Sequence, residues 1–210
     1  MCIAIFLPPK LIIPDDHLHQ SWIANSDGAG FAYAANGKVM VQKGFMLYKE
    51  FLAAFSASRD KHKLSPFIIH FRIRSQGDRS EDNTHPFNIP GGALIHNGTI
   101  DGTGSEYLKG PSDTKLFSEK FGASLTFPIV SGNKKEFEEA LDYNKVVMLY
   151  DDGKHVILNE GKGYWVDDVW YSNRSFQNYA KKPTTPNNPL SQVDNLNDHW
   201  NYANGMYGGD

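Results

Sequence analysis

The stretch from Cys2 to Leu7, read Cys-Ile-Ala-Ile-Phe-Leu, constrains the fold more than any other part of the chain. It is apolar throughout and partly β-branched, and Pro8-Pro9 halts it, so it reads as a buried strand at the very start of the sequence. Cys2 heads that strand and is the 1 cysteine in 210 residues. It has no partner for an internal disulfide. The apolar run behind it is too short for a signal-peptide core or a membrane span, so the expectation is a soluble, cytoplasmic protein. On that expectation Asn97-Gly98-Thr99 and Asn173-Arg174-Ser175, which match the glycosylation acceptor pattern, are chance matches.

The length suits one sizeable domain, or one domain and a tail, and leaves no room for two enzymatic domains. A formal net charge of -3, with both signs scattered along the chain, gives no basic footprint for nucleic acid. Two strand-like runs flank Asn36-Gly37, a pair suited to the positive φ angles of a two-residue hairpin turn. Leu47, Phe51, Leu52 and Phe55 recur at helical spacing, and "PFIIHFRIR" then reads as a strand between Pro66 and Gly77. A further strand, "GALIH", runs into Asn97-Gly98. Ser112 is a suitable N-cap for a helix over "DTKLFSEKFG", and "KKEFEEALDY" predicts another. From Lys145 short strands alternate with Asp-Gly and Gly-rich turns. This order, strands before and after central helices, predicts an α+β fold over residues 1–178. Residues 179–210, rich in Pro, Asn and Gly, read as a flexible C-terminal tail.

Methionine aminopeptidases remove the initiator when the second residue is small, so the expectation is that Cys2 becomes the terminal residue. Its thiol and a free α-amine would then share one residue. The amine titrates near 7.7 to 8.0 and the thiol near about 8.5, so close to neutral pH some free amine can take the thiol proton. Read alone, Cys2 could equally be a small buried hydrophobe.

Its neighbours add more. "NSDGAGFAY" at 25–33, "HFRIRSQG" at 70–77, "NTHPF" at 83–87, "HNGTI" at 96–100 and "SDT" at 112–114 follow the terminal "MC". In order and approximate spacing the chain resembles class II, or N-terminal-nucleophile, glutamine amidotransferases, and most of all their small single-domain members. The resemblance covers about residues 2 to 175 and implies a four-layer αββα sandwich that hydrolyses the side-chain amide of L-glutamine through a Cys2 thioester. It implies no cofactor. Ammonia would pass to a separate acceptor, a synthase subunit for which this chain has no room.

By the same resemblance Asn97 and Gly98 form an oxyanion hole, one giving a side-chain N–H and the other a backbone N–H. Arg72 grips the α-carboxylate of glutamine and Asp113 accepts from its α-ammonium. A planar guanidinium fork and a fixed carboxylate are what a free amino acid requires. Ser75, Gln76 and Gly77 match a stretch that lines the pocket, with Gln76 in place of the family's usual His and Ile73 in place of a frequent Trp. Asp27-Gly28 and Gly30 shape the loop facing the nucleophile, and His85 shapes the pocket rather than serving as base. Each residue also has a plainer reading: a hairpin turn for Asn97-Gly98, a surface strand position for Arg72, a dipole-matched helix start for Asp113. The eight histidines sit on separate segments with no clustered ligand pair, so no metal is expected. Two other functions remain open at this point: the same nucleophile acting on a different amide, and an inactive binding module of the same fold.

Overall fold

The computed structural model describes residues 2–177; the tail expected over 179–210 lies outside them. In chain order the regular elements are β1 (Ile3–Leu7), α1 (Asp15–Ala24), β2 (Ala29–Ala35), β3 (Lys38–Phe45), α2 (Tyr48–Lys61), β4 (Phe67–Phe71), β5 (Phe87–Ile89) and β6 (Gly92–Asn97). They continue with α3 (Asp113–Phe121), α4 (Phe127–Gly132), α5 (Lys134–Leu141), β7 (Lys145–Tyr150), β8 (His155–Leu158), β9 (Tyr164–Val166) and β10 (Val169–Tyr171). The fold is α+β, built on two antiparallel sheets ordered β3-β2-β4-β1-β10-β9 and β5-β6-β7-β8.

The uniform apolarity of β1 follows from its place in the first sheet, between β4 and β10. Side chains of a strand alternate between faces. Ile3, Ile5 and Leu7 pack with Leu18 of α1 and with Phe51 and Phe55 of α2. Ala4 and Phe6 point the other way, onto Ala93, Ile95, Val147 and Leu149 of the second sheet. The outer face of that sheet, carrying Leu94, Val146 and Met148, is covered by Leu125, Val130 and Leu141. Buried on both faces, β1 reads as a continuous apolar run and not as an alternation.

Asn36 and Gly37 both take positive φ, 55° and 72°, as the expected hairpin between β2 and β3 requires. Ser112 caps α3 by accepting from Lys115 N at 3.3 Å. Two features differ from the sequence reading. Helices α1 and α4 and the three-residue strand β5 are additional: α1 buries only Leu18 and Ser21, so its apolar stripe is too thin to register as a helical period. The strand expected over "PFIIHFRIR" stops at Phe71, because two residues later the Ile73 backbone turns to the sulfur of Cys2 instead of to a neighbouring strand.

Candidate active site

Cys2 is half-buried just ahead of β1. Its Sγ lies 3.2 Å from Ile73 O and 3.4 Å from Ile73 N, in donor and acceptor roles respectively. Burial pushes the thiol pKa up, and the Ile73 backbone and the Arg72 guanidinium offset part of that rise. The main-chain carbonyl of Cys2 is clamped from two directions. Asn97 Nδ2, at the end of β6 in the second sheet, donates to it, and so does Asn173 Nδ2 at 2.7 Å, just beyond β10. Sequence reasoning missed Asn173, having set it aside as a chance acceptor pattern; its sole signal was its place after the closing strand.

Asn97-Gly98 is not a hairpin turn. The chain leaves β6 for a long loop to α3, since both flanks of β6 are already paired, with β5 and β7. Gly98 has φ 146°, and a Cβ there would sit 2.0 Å from Asn144 Oδ1. The position therefore demands glycine on conformation and on space alike. Gly30 is equally confined, since its Cβ would lie 2.1 Å from His85 O, and a Cβ on Gly28 would lie 2.5 Å from Thr84 Cγ2.

Arg72 is no surface residue: it is 2% exposed. Its Nη1 donates to Asp78 O at 2.7 Å and its Nη2 to Gln76 O at 2.8 Å, so the guanidinium ties down the loop that follows β4. Burial lowers its pKa, while Cys2, Asp27 and Asp113 favour the charged form. Asp113 begins α3 and is buried. One oxygen accepts from Ile100 N and the other from Thr114 N, each at 2.7 Å. Gly77 forms the back of the loop, its N–H bonded to Glu106 O at 2.9 Å and its φ positive at 77°.

Cys2, Arg72, Ser75, Gln76, Gly98 and Asp113 line one cleft, and His85, His96 and Thr114 complete its wall. The expected residues therefore converge, apart from Asn97, which reaches the site through the Cys2 carbonyl, and Gly77, which stands behind the wall. The cleft as it stands has room for about one water molecule. Gln76 Oε1 is buried without a hydrogen-bond partner.

Three histidines stack beneath the cleft. His85 lies 3.9 Å from His70, centroid to centroid, and its Nδ1 accepts from His96 N at 3.2 Å. His85 is thus a structural member of the wall with its neutral proton on Nε2. His96 bonds Asn144 Oδ1 through Nε2 and Thr114 Oγ1 through Nδ1, both at 2.8 Å. Because Asn144 Nδ2 is committed to Leu141 O, Asn144 can only accept from His96, which fixes the Nε2–H tautomer of the neutral ring. Burial is the main cause of lowered pKa values in all three: His70 falls to about 3, His85 falls well below the ordinary value, and His96 falls too. Among the described residues no group of three His, Cys, Asp or Glu side chains is placed to hold a metal ion.

A consequence for stability follows. In the unfolded chain these rings protonate near pH 6.5, whereas in the fold they resist it, so the unfolded state binds more protons as pH falls. Their contribution is intact above pH 6.5 and is lost progressively as pH drops toward the folded values, by up to about 1.4 kcal/mol per pH unit for each ring. Urea unfolding from pH 7 to pH 4 is expected to show this steep acid limb, and His70→Gln is expected to flatten it.

No family model matches the sequence. An uncharacterized protein of Methanocaldococcus jannaschii is 30% identical over 146 residues, covering 62% of this chain and 41% of that protein. Among solved structures, the glutamine phosphoribosylpyrophosphate amidotransferase of B. subtilis matches with a TM-score of 0.50 at 19% identity. The match covers 81% of this chain and 41% of that one. A structure described as the allosteric regulatory enzyme of purine biosynthesis matches with a TM-score of 0.53 at 20% identity, over the same shares of the two chains. The chain has a glutamine amidotransferase-like fold. It spans about two fifths of the length of each of these proteins. Among the described residues, no helix is long and apolar enough to cross a membrane.

Proposed function

We propose that this chain is a glutamine amidotransferase domain of the N-terminal-nucleophile type, a four-layer αββα sandwich that releases ammonia from L-glutamine for a separate acceptor. The observation that carries the reading is the meeting, in one cleft, of a lone thiol, a buried guanidinium and a buried carboxylate, with Asn97-Gly98 arriving from the opposite sheet. A hydrolase for free glutamine needs these groups together: a nucleophile, an oxyanion donor pair, and one fixed charge of each sign for the α-substituents.

In the proposed reaction Met1 is removed and the Cys2 α-amine becomes the base. The amine takes the thiol proton as Sγ attacks the side-chain carbonyl carbon of glutamine, and the resulting oxyanion is held by Asn97 Nδ2–H and Gly98 N–H. The C–N bond breaks as the amine returns the proton to the leaving nitrogen, giving ammonia and a γ-glutamyl thioester. Water then attacks the thioester, one of its protons returns to sulfur, and glutamate leaves. The upward pull of burial on the thiol makes a base within the same residue important. Arg72 has spent two N–H groups on its own loop, leaving the remaining donors for a carboxylate.

The test is the intact mass of the purified protein before and after a glutamine-mimicking electrophile, beside a Cys2→Ala control. Loss of Met1 and a single adduct in the wild type alone supports the reading; retained Met1 with no adduct sinks it. The α-substituent anchors separate glutamine from other amides. Arg72→Lys and Asp113→Asn are each expected to raise KM for glutamine by about 10- to 100-fold with a smaller change in kcat, as loss of uniform binding does. Steady-state ammonia release measures this, and an unchanged KM would mean that Arg72 and Asp113 are not in use as α-amino-acid anchors.

A further inference from the structure

We infer that Asn173 is a positioning residue for the nucleophile, holding the Cys2 main chain so that sulfur and amine are aimed into the cleft. The inference rests on the reaction proposed above. It starts from the donor count at one oxygen. Cys2 O accepts from Asn97 Nδ2 and from Asn173 Nδ2 at 2.7 Å. Asn97 belongs to the second sheet and Asn173 follows the last strand of the first, so the carbonyl is gripped from both sides of the structure.

Asn173 is itself rigidly held. Its Oδ1 accepts from Ser175 N at 2.9 Å and from Ser175 Oγ at 2.8 Å, which fixes the orientation of the amide and leaves Nδ2 to face Cys2. Ser175 Oγ in turn accepts from Asn25 Nδ2 at 3.1 Å, and Asn25 Nδ2 also donates to Ser21 O at 2.9 Å. Asn25 is fully buried at the end of α1. A chain of polar contacts thus runs from α1 through Ser175 and Asn173 to the residue that reacts.

The division of labour at Cys2 O matters for Asn97. An amide nitrogen has two N–H groups. One N–H of Asn97 is spent on Cys2 O, so only the second is available to an oxyanion, and its direction depends on the first being satisfied. With Asn173 in place the carbonyl is anchored independently of Asn97. Without it, Asn97 alone must hold the Cys2 carbonyl and stabilise the oxyanion, and a misplacement near 1 Å at a reacting atom costs about 10²-fold in rate.

Two variants, each carried in the full chain, separate this role from simple support of the fold. Asn173→Asp keeps both acceptor contacts to Ser175 and removes the donor; Asn173→Ala removes everything. Asn173 is only partly buried, and thermal unfolding checks that the fold stands in each variant. The readout is kcat for glutamine per site titrated with the glutamine-mimicking electrophile, which discounts misfolded molecules. Both variants are expected to lose about 10- to 100-fold in kcat per labelled site, with KM within threefold of wild type. Wild-type kcat per labelled site in Asn173→Asp would overturn the inference, because a purely structural role would lower the number of sites and not their rate. If the wild type releases no ammonia, the glutamine reading fails and labelling decides. Iodoacetamide then reads Cys2 directly, with a roughly tenfold slower rate expected in Asn173→Ala and an equal rate overturning the inference.

Discussion

Cys2→Ala is expected to end ammonia release from glutamine, with a loss of at least about 10⁴-fold in kcat. The chain has no second thiol to take over. The change removes a sulfur that is hydrogen-bonded to the Ile73 backbone and leaves β1 paired with β4 and β10, so the melting temperature is expected to stay within a few degrees of wild type. Binding is expected to survive as well, because Arg72 and Asp113 are held by other elements. Equilibrium binding of glutamine to the inactive variant, followed by calorimetry, separates the two losses. Ammonia release at the wild-type rate by Cys2→Ala would remove the nucleophile from the proposal altogether.

The second large effect is expected at Asn97. Asn97→Ala removes the side-chain half of the proposed oxyanion hole, and loss of one such donor typically lowers kcat by about 10²- to 10³-fold. The upper end is expected here, because the same side chain also donates to Cys2 O and the variant loses both contacts. Asn97→Asp is expected to fare no better: it restores the shape but brings a carboxylate toward a developing negative charge. KM is expected to remain near wild type, since the α-substituents are bound elsewhere. A kcat within threefold of wild type would mean that the oxyanion is stabilised by other groups.

What the sequence revealed and what it hid divide along physical lines. Strand β1, the Asn36-Gly37 hairpin, helix α2 and the Ser112 cap are local patterns: a run without polar residues, a dipeptide suited to positive φ, an apolar period, a cap three residues ahead of its donor. Each is written in neighbouring residues. Arg72 and Asp113 were legible as candidate anchors, yet their burial was not, because it depends on layers contributed by distant segments. The commitment of the Arg72 guanidinium to Gln76 O and Asp78 O is a main-chain contact that leaves no mark on residue identity. Asn173 is the extreme case. It lies 171 residues from Cys2, and the pairing of β10 with β1 brings the two together.

That pairing also sets an order of events during synthesis. β1 emerges first, yet Ile73, which cradles its sulfur, follows 71 residues later, and the Asn173 clamp 171 residues later. Contacts so distant in sequence form late, after a large loop has closed. Docking of β10 completes the clamp on the Cys2 carbonyl. The surroundings of the Cys2 thiol are therefore among the last parts of the fold to assemble, although they meet at a residue near the front of the chain.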